Sequence, residues 1–402
     1  MATLLPVADA QIRLLAMAPR VGSELLPLLD AAGRWTAEPI IARRTQPGAD
    51  LSSMDGYAIR FDDLPGPWRI VGESAAGHAF EGSIHGGETV RIFTGAAMPA
   101  GADSVLVQEE AIREPAPAEA GGERLTLDGE GPPRRGASVR RKGLDFEKGV
   151  VLIPAGTRLT PAAIALAATG GHGDLPVNRR LRIATLATGD ELIAPGSAVD
   201  NPLTLPEGNS AMLAAMLADL PVDVVHLGIV PDRLDALTAA FAAASADIIV
   251  TTGGASVGDH DFVRPALQAA GGEIDFWRIA IRPGKPMLAG RLGDAMVLGL
   301  PGNPVSAFVT ATLFLRPLIA SMAGAADPLP VPLAATLAEG LPANDHRQDY
   351  LRATISDGRV SIAAIQDSSM LATLARATCL VIRPPHAPPA LAGETVHILP
   401  LA

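Results

Sequence analysis

Residues 246–263 read Ala-Asp-Ile-Ile-Val-Thr-Thr-Gly-Gly-Ala-Ser-Val-Gly-Asp-His-Asp-Phe-Val, an order suited to gripping an anion. The apolar run from Ile248 to Val250 stops at Thr251-Thr252-Gly253-Gly254, and Ser256, Gly258, Asp259 and Asp261 follow at once. A buried strand that opens into glycines and hydroxyls offers bare backbone N–H groups to an anionic ligand. Asp259 and Asp261 supply hard oxygen atoms for a cation that neutralises such a ligand. A plain strand-to-helix connection has the same look when it stands alone. Two more polar turns at strand ends tip the reading towards a site.

The first of these is Leu186-Ala-Thr-Gly-Asp-Glu-Leu192, where Asp190 and Glu191 lie beside Gly189. Acids at that place serve a helix dipole equally well. The second is Leu298-Gly-Leu-Pro-Gly-Asn-Pro-Val-Ser306, with Asn303 as a candidate N-cap and Pro304 at the first helical position. Between them, Ile281-Arg-Pro-Gly-Lys-Pro286 holds Arg282 and Lys285 on a stiff turn. Exposed basic residues are commonly just solvated, but a proline on each side does not fit a casual surface lysine. There is no GxxxxGK[ST] phosphate loop and no GxGxxG dinucleotide fingerprint. Further upstream, Asp55 in Ser53–Ala58, Thr94 in Phe93–Ala96 and Asp145 in Gly143–Glu147 are additional polar candidates. Taken singly, Asp55-Gly56 and Asp145 read as ordinary turns.

Bulk properties bound the function classes. A net charge of −11 argues against a general nucleic-acid binder, so an anionic substrate must be held by local donors or a metal. Cys379 is the single cysteine, which excludes intramolecular disulfides and cysteine zinc sites. The eight histidines lack metal-ligand spacing. No stretch is read as approaching the roughly 18 apolar residues of a membrane span, and the first residues lack a signal-peptide pattern. The expectation is a cytoplasmic protein with no membrane and no nucleic-acid partner.

At 402 residues the chain is too long for one core. Helical spacing predicts helices over 7–17 and 23–33 and an extended Thr36–Ala42. From about 51 to 140, short apolar runs (Trp68–Val71, Thr89–Phe93, Ser104–Gln108) between Gly and Pro turns predict a β-rich domain, with Glu114–Arg135 as a solvent loop. Pro161–Thr169 reads as a helix. Strands at Leu181–Leu186, Val222–Val230, Asp247–Val250 and Ala295–Leu300 alternate with helices at Ser210–Leu220, Leu234–Ala244, Phe262–Ala270 and Pro304–Ile319. That alternation predicts a parallel sheet with helices on both faces, whose ligands bind at the carboxyl ends of the strands. Pro328, Pro330 and Pro332 mark a linker. Short strands at Leu351–Ser356, Val360–Ile365, Leu380–Ile382 and Thr395–Leu399 predict a terminal small barrel or sandwich.

Together these segments resemble the MoeA family, the molybdopterin molybdenumtransferases of molybdenum cofactor synthesis. The likeness runs from about residue 7 to the C-terminus. It rests on MDGYAIR (54–60), FTGAAMPAGADSVLVQEE (93–110), LDFEKG (144–149), ATGDEL (187–192), GNSAML (208–213), TTGGASVGDHDFV (251–263), AIRPGKPM (280–287) and LPGNPVSAF (300–308). It implies a multidomain α/β plus β fold. A small helical linker domain would be built from 1–50 and 141–180, a β-rich insertion from 51–140, a MogA-like α/β domain with a mostly parallel sheet from 181–326, and a C-terminal β-barrel from 327–402. It also implies a homodimer whose active cleft lies between the α/β domain of one subunit and the β-rich domain of the other.

The implied reaction is Mg²⁺-dependent insertion of molybdate into adenylylated molybdopterin with release of AMP. Carried over residue by residue, the resemblance puts Asp55, Thr94, Asp145, Glu191 and Asp261 in catalysis, with Asp55, Glu191 and Asp261 on Mg²⁺. Oxyanion and pterin contacts fall on Gly253, Gly254, Ser256, Gly258, Arg282, Lys285, the Pro301-Gly302-Asn303-Pro304 turn and Arg347. Two departures stand out: Arg282 where the family commonly has lysine, and Leu144 where it commonly has glutamate. The implied partners are the molybdopterin adenylyltransferase and the apoenzymes that receive the cofactor. The competing readings are a molybdopterin adenylyltransferase, which shares the α/β domain, and a gephyrin-like scaffold without catalysis.

Overall fold

The computed structural model describes residues 4–115, 122–198, 201–254 and 262–401. The chain forms two compact units: Pro39–Pro154 with Pro161–Leu175, and Met1–Glu38 with Ala155–Thr160 and Pro176–Ala402.

The first unit is built on a six-stranded sheet of β1 (Gly56–Ile59), β2 (Trp68–Ser74), β3 (Glu88–Ile92), β4 (Ser104–Val107), β5 (Ala111–Pro115) and β6 (Glu123–Leu127). Their spatial order is β4-β1-β3-β2-β6-β5, with β2 and β3 parallel and the remaining pairs antiparallel. Trp68 packs at its centre with Tyr57, Ile59, Leu106 and Leu125. Strand β1 escaped the sequence reading because all four of its residues are buried, leaving no alternation to see. Gly56 is obligatory there, since a Cβ would lie 2.1 Å from the Leu106 carbonyl oxygen.

Residues 114–135 were expected to be a solvent loop. Instead β5 and β6 form an antiparallel pair with Arg113 opposite Leu125. Strand β5 is a solvated edge, exposed along four of its five residues.

The second unit contains a six-stranded sheet of β7 (Leu181–Thr188), β8 (Val222–Val230), β9 (Ile248–Thr252), β10 (Glu273–Trp277), β12 (Leu288–Leu292) and β13 (Ala295–Leu300). The two-residue strand β11 (Ile281–Arg282) belongs to the barrel described below. The sheet order is β8-β7-β9-β13-β12-β10. The first four strands are parallel, whereas β12 pairs antiparallel with β13 and β10 antiparallel with β12, so the sheet is mixed rather than wholly parallel.

Helix α1 (Val7–Met17) is followed by α2 (Asn209–Leu217), α3 (Leu234–Ala243), α4 (Val263–Ala269), α5 (Pro304–Thr310) and α6 (Arg316–Met322). Ile248 and Val250 share a core with Leu213 and Leu217 of α2 and Val305 and Val309 of α5. Ile249 faces Leu237, Phe241, Val263 and Leu267 of α3 and α4 on the opposite side. A strand covered on both faces must be apolar throughout, which is why Ile248–Val250 reads as one hydrophobic run.

The predicted helix over 23–33 is absent. Ser23–Pro27 is extended and Leu28–Asp30 is a single 3₁₀ turn. Pro27 disfavours helical backbone at Leu26, and its ring cannot sit inside a helix.

The helix expected over 304–319 runs from Pro304 to Met322 with a π-helical turn at Ala311–Leu315. Pro317 has no N–H for the Leu313 carbonyl, and Gln11 Nε2 of α1 donates to that oxygen at 2.9 Å instead. This helix is 19 residues long with a mean hydropathy of 1.6, so the expectation that nothing reached membrane-span length does not hold. It is a core helix nonetheless, 78% buried within the protein.

The last segment is a closed barrel, which decides between the two expected forms. Strands β14 (Leu333–Leu337), β15 (Gln348–Ser356), β16 (Arg359–Ile362), β17 (Cys379–Arg383) and β18 (Thr395–Pro400) follow the order β15-β16-β14-β18-β17, with β17 returning to β15. A short helix, α7 (Leu371–Arg376), lies between β16 and β17. Strand β11 joins the barrel edge beside β15, pairing Arg282 with Asp349.

Candidate active site

Strands β7, β9 and β13 lie side by side and parallel, so their carboxyl ends open on one cleft of about 820 Å³. Glycines make that opening. A Cβ on Gly253 would lie 2.2 Å from the Thr188 carbonyl oxygen, and its φ of +91° is a backbone region that side chains rarely adopt. Gly302 stands beside it, with only 3.4 Å between its Cβ position and Gly253 Cα. At Gly253 this approach is possible only because the residue carries no side chain. The Thr252 hydroxyl lines the cleft, buried and without a hydrogen-bond partner among the described residues.

The third loop starts helix α5. Asn303 occupies the N-cap position, but its side chain does not cap. Its Nδ2 donates to Ser368 Oγ at 2.9 Å, and the Ser368 carbonyl accepts the Val305 amide at 3.1 Å. The capping therefore comes from a loop after β16, and Asn303 is turned towards that loop. Asn209 Nδ2 ties the turn to α2 by donating to the Gly302 carbonyl at 2.8 Å.

Charges of both signs line the cleft. Glu191 is exposed, folds back over Gly189, and has no ion pair or hydrogen bond on its carboxylate among the described residues. Glu207 is buried and accepts the Ser210 amide at 3.0 Å. Asp232 Oδ1 accepts the Thr188 hydroxyl at 3.3 Å. The Lys285 ammonium is exposed and unpaired among the described residues.

Arg282 is engaged by the barrel. It donates to Asp349, to Asp345 Oδ2 at 3.2 Å and to Asn344 Oδ1 at 3.2 Å. The hydrogen bond to Asp349 raises the arginine's pKa. Asp349 itself is also pushed up, because its burial outweighs the arginine beside it. Arg347 donates to Asp345 Oδ2 at 2.9 Å, and this holds the Asp345 carboxyl well below the usual carboxylate range.

The other unit carries Asp55 and Thr94. The Thr94 amide and hydroxyl both donate to Asp55 Oδ1, at 2.7 and 2.8 Å. These bonds, the amide's above all, lower the Asp55 pKa, with a smaller push from the Arg91 guanidinium. Arg91 lies 5.0 Å over Tyr57 and 4.8 Å over Phe93, and Nη1 donates to the Gly56 carbonyl at 3.2 Å. Asp145 sits in an exposed loop whose backbone is stitched to residues 42–47, its amide donating to the Gln46 carbonyl at 3.0 Å. It bonds neither Asp55 nor Thr94.

Comparison with known proteins places the whole chain. Residues 5–171 match the model of the MoeA N-terminal region (domain I and II), 184–321 a probable molybdopterin binding domain, and 334–401 the MoeA C-terminal region (domain IV). The chain belongs to the MoeA family.

A molybdopterin molybdenumtransferase of Haemophilus influenzae is 34% identical over 414 residues, 99% of this chain and 98% of that protein. One from Bacillus subtilis is 30% identical over 412 residues, 99% and 94% of the two chains. The crystal structure of the molybdopterin biosynthesis MoeA protein from Pyrococcus horikoshii superposes with a TM-score of 0.83 at 26% identity, covering 99% of this chain and all of that one.

Of the residues to which the MoeA resemblance assigns roles, Glu191, Gly253, Gly254, Arg282, Lys285, Pro301, Gly302, Asn303, Pro304 and Arg347 all line the one cleft. Asp55, Thr94 and Asp145 belong to the other unit. Ser256, Gly258 and Asp261, with Asp259, lie outside the described residues. The residue-by-residue assignment passed over Glu207, Asn209, Asp232 and the loop Gln366–Ser369, all of which line the cleft. The GNSAML motif pointed towards Asn209, whereas nothing local in 366–369 marks it.

Proposed function

We propose that this MoeA-family chain is a transferase of molybdenum cofactor biosynthesis that inserts molybdate into adenylylated molybdopterin and releases AMP. The observation that carries this reading is the cleft at the carboxyl ends of β7, β9 and β13. Side-chain-free backbone at Gly253 and Gly302, an unpaired ammonium on Lys285 and an open carboxylate on Glu191 meet there. Two anions must be brought together in this reaction, molybdate and a pyrophosphate-type linkage. Cationic and N–H donors on the cleft wall offset their repulsion.

No group of three or more carboxylate, imidazole or thiol ligands gathers for a metal ion among the described residues. Mg²⁺ seldom needs such a cage, binding through one or two carboxylates, waters and substrate phosphates. The free Glu191 oxygens fit that mode, and Asp55 and Asp261 complete the proposed ligand set. The ion would supply charge neutralisation during cleavage of the phosphoanhydride. Lys285 binds and orients the anionic substrate, the glycines let it approach the backbone, and Thr94 keeps Asp55 ionised. Asp145 adds a further carboxylate to the same reaction. Outside the described residues, Ser256 and Gly258 are proposed as further substrate contacts.

The protein is further proposed to be a cytoplasmic homodimer that receives substrate from the molybdopterin adenylyltransferase and passes its product to apoenzymes. AMP release from adenylylated molybdopterin, molybdate and Mg²⁺ tests the proposal. Glu191→Gln and Asp55→Asn should each fold yet turn over about 10²-fold more slowly, the scale of losing one electrostatic catalytic group. Wild-type rates in both would sink the site assignment, and turnover of ATP with molybdopterin instead would favour an adenylyltransferase.

A further inference from the structure

Two arginines line the cleft beside Lys285, and one carboxylate holds both. Asp345 Oδ2 accepts Arg282 Nη1 at 3.2 Å and Arg347 Nη2 at 2.9 Å, while Oδ1 accepts the Arg347 amide at 2.8 Å. Arg282 spends its other terminal nitrogen on Asn344 and Asp349. Arg347 Nε is buried without a partner among the described residues. Asp345 is not one of the residues that line the cleft, but it is ion-paired to the two guanidinium groups that do. Three cations, Arg282, Lys285 and Arg347, are thus matched by two carboxylates, Asp345 and Asp349. Lys285 alone among the three has no internal counter-charge among the described residues.

A cleft with three free cations would hold a dianion tightly, and tight uniform binding of substrate and product does nothing for the chemical step. We propose that Asp345 is a specificity-determining residue, a built-in counter-ion that weakens the grip of Arg282 and Arg347 on a tetrahedral oxyanion. The inference rests on reading the cleft as an anion site. The oxyanion has two possible sources there, molybdate or a phosphoryl group of the nucleotide.

Titration calorimetry of the full chain with molybdate alone, and separately with AMP alone, tests this without turnover. Asp345→Asn keeps an acceptor for the Arg347 amide but removes the charge. It should bind one of the two probes at least ~10-fold more tightly than wild type, and Asp345→Glu should bind it as wild type does. The probe that tightens identifies the group facing the arginines. If Asp345→Asn melts early, Asp345→Ser removes the same charge with less bulk and should tighten binding in the same direction. In turnover the charge-free variant should lower KM without raising kcat, a split that a merely structural role would not produce. Binding equal to or weaker than wild type for both probes in a folded charge-free variant overturns the inference. Because binding is read separately, an inactive wild type with tightened anion binding in the variant would sink the proposed reaction and leave this inference standing.

Discussion

Thr94 directs two hydrogen bonds, from its amide and its hydroxyl, at the same oxygen of Asp55. Both stabilise the carboxylate over the acid, so the Asp55 pKa lies below its ordinary value. Any stability such a depressed carboxylate contributes is complete above the unfolded-state pKa and is lost as pH falls from there through the lowered value. Thr94→Val retains the amide bond and loses the other. Carbon-detected NMR titration should place Asp55 below the ordinary aspartate pKa in the wild type and higher in the variant. An unmoved titration would mean that the hydroxyl plays no part.

Gly253→Ala should damage fold and cleft together. The added methyl would stand 2.2 Å from the Thr188 carbonyl oxygen, in a backbone conformation at φ +91° that alanine rarely adopts. The cost is about 3 kcal/mol, between local strain and a severe core lesion. Thermal melting should show a lowered midpoint. Gly77→Ala, also at positive φ but with open space around it, should show a smaller loss.

Arg282→Met removes the partner of the buried Asp349 carboxylate, which is only 4% exposed at its side chain. Losing one partner of a fully buried pair costs roughly 3–5 kcal/mol. Arg282 is half exposed, so about 1–3 kcal/mol is expected here. Asp349 already has a raised pKa, so its ionisation favours the unfolded chain as pH rises through the folded value. Removing the arginine raises that value further. The deficit in melting temperature should therefore be larger near neutral pH than at about pH 4.5, just above the ordinary aspartate pKa. A deficit independent of pH would count against an ionised Asp349 as its source.

Lys285→Ala should weaken binding of the anionic substrate rather than unfold the protein, since the ammonium has no internal partner among the described residues. A hydrogen bond to a charged group is worth about 1.5–3 kcal/mol, hence a rise in KM of about 10- to 100-fold. The salt dependence of kcat/KM should shrink with the lost charge. Steady-state kinetics at two ionic strengths reads both effects.

Much of this protein was legible in its sequence. The order and spacing of MDGYAIR, ATGDEL, TTGGASVGDHDFV and LPGNPVSAF carry the MoeA resemblance, and the family models span the same segments. Strands β7, β9 and β13 announced themselves as apolar runs leading into glycine turns, because strands buried on both faces have no other composition open to them. Gly253 was visible for an equally local reason: only glycine tolerates a backbone carbonyl at that distance with a positive φ.

What tertiary structure alone decided is pairing. Nothing in Gly56–Ile59 announces a central strand, and nothing in Glu273–Trp277 or Leu288–Leu292 announces the antiparallel turn of the sheet. Asn303 was expected to cap its own helix, yet Ser368 does so from 65 residues away. Arg282 read as a ligand contact, and its nearest anions turned out to be Asp345 and Asp349 of the barrel. A charge or a cap is satisfied by whichever group the fold brings within about 3 Å. For partners this distant along the chain, that proximity is set by packing and leaves no mark on the residues in between.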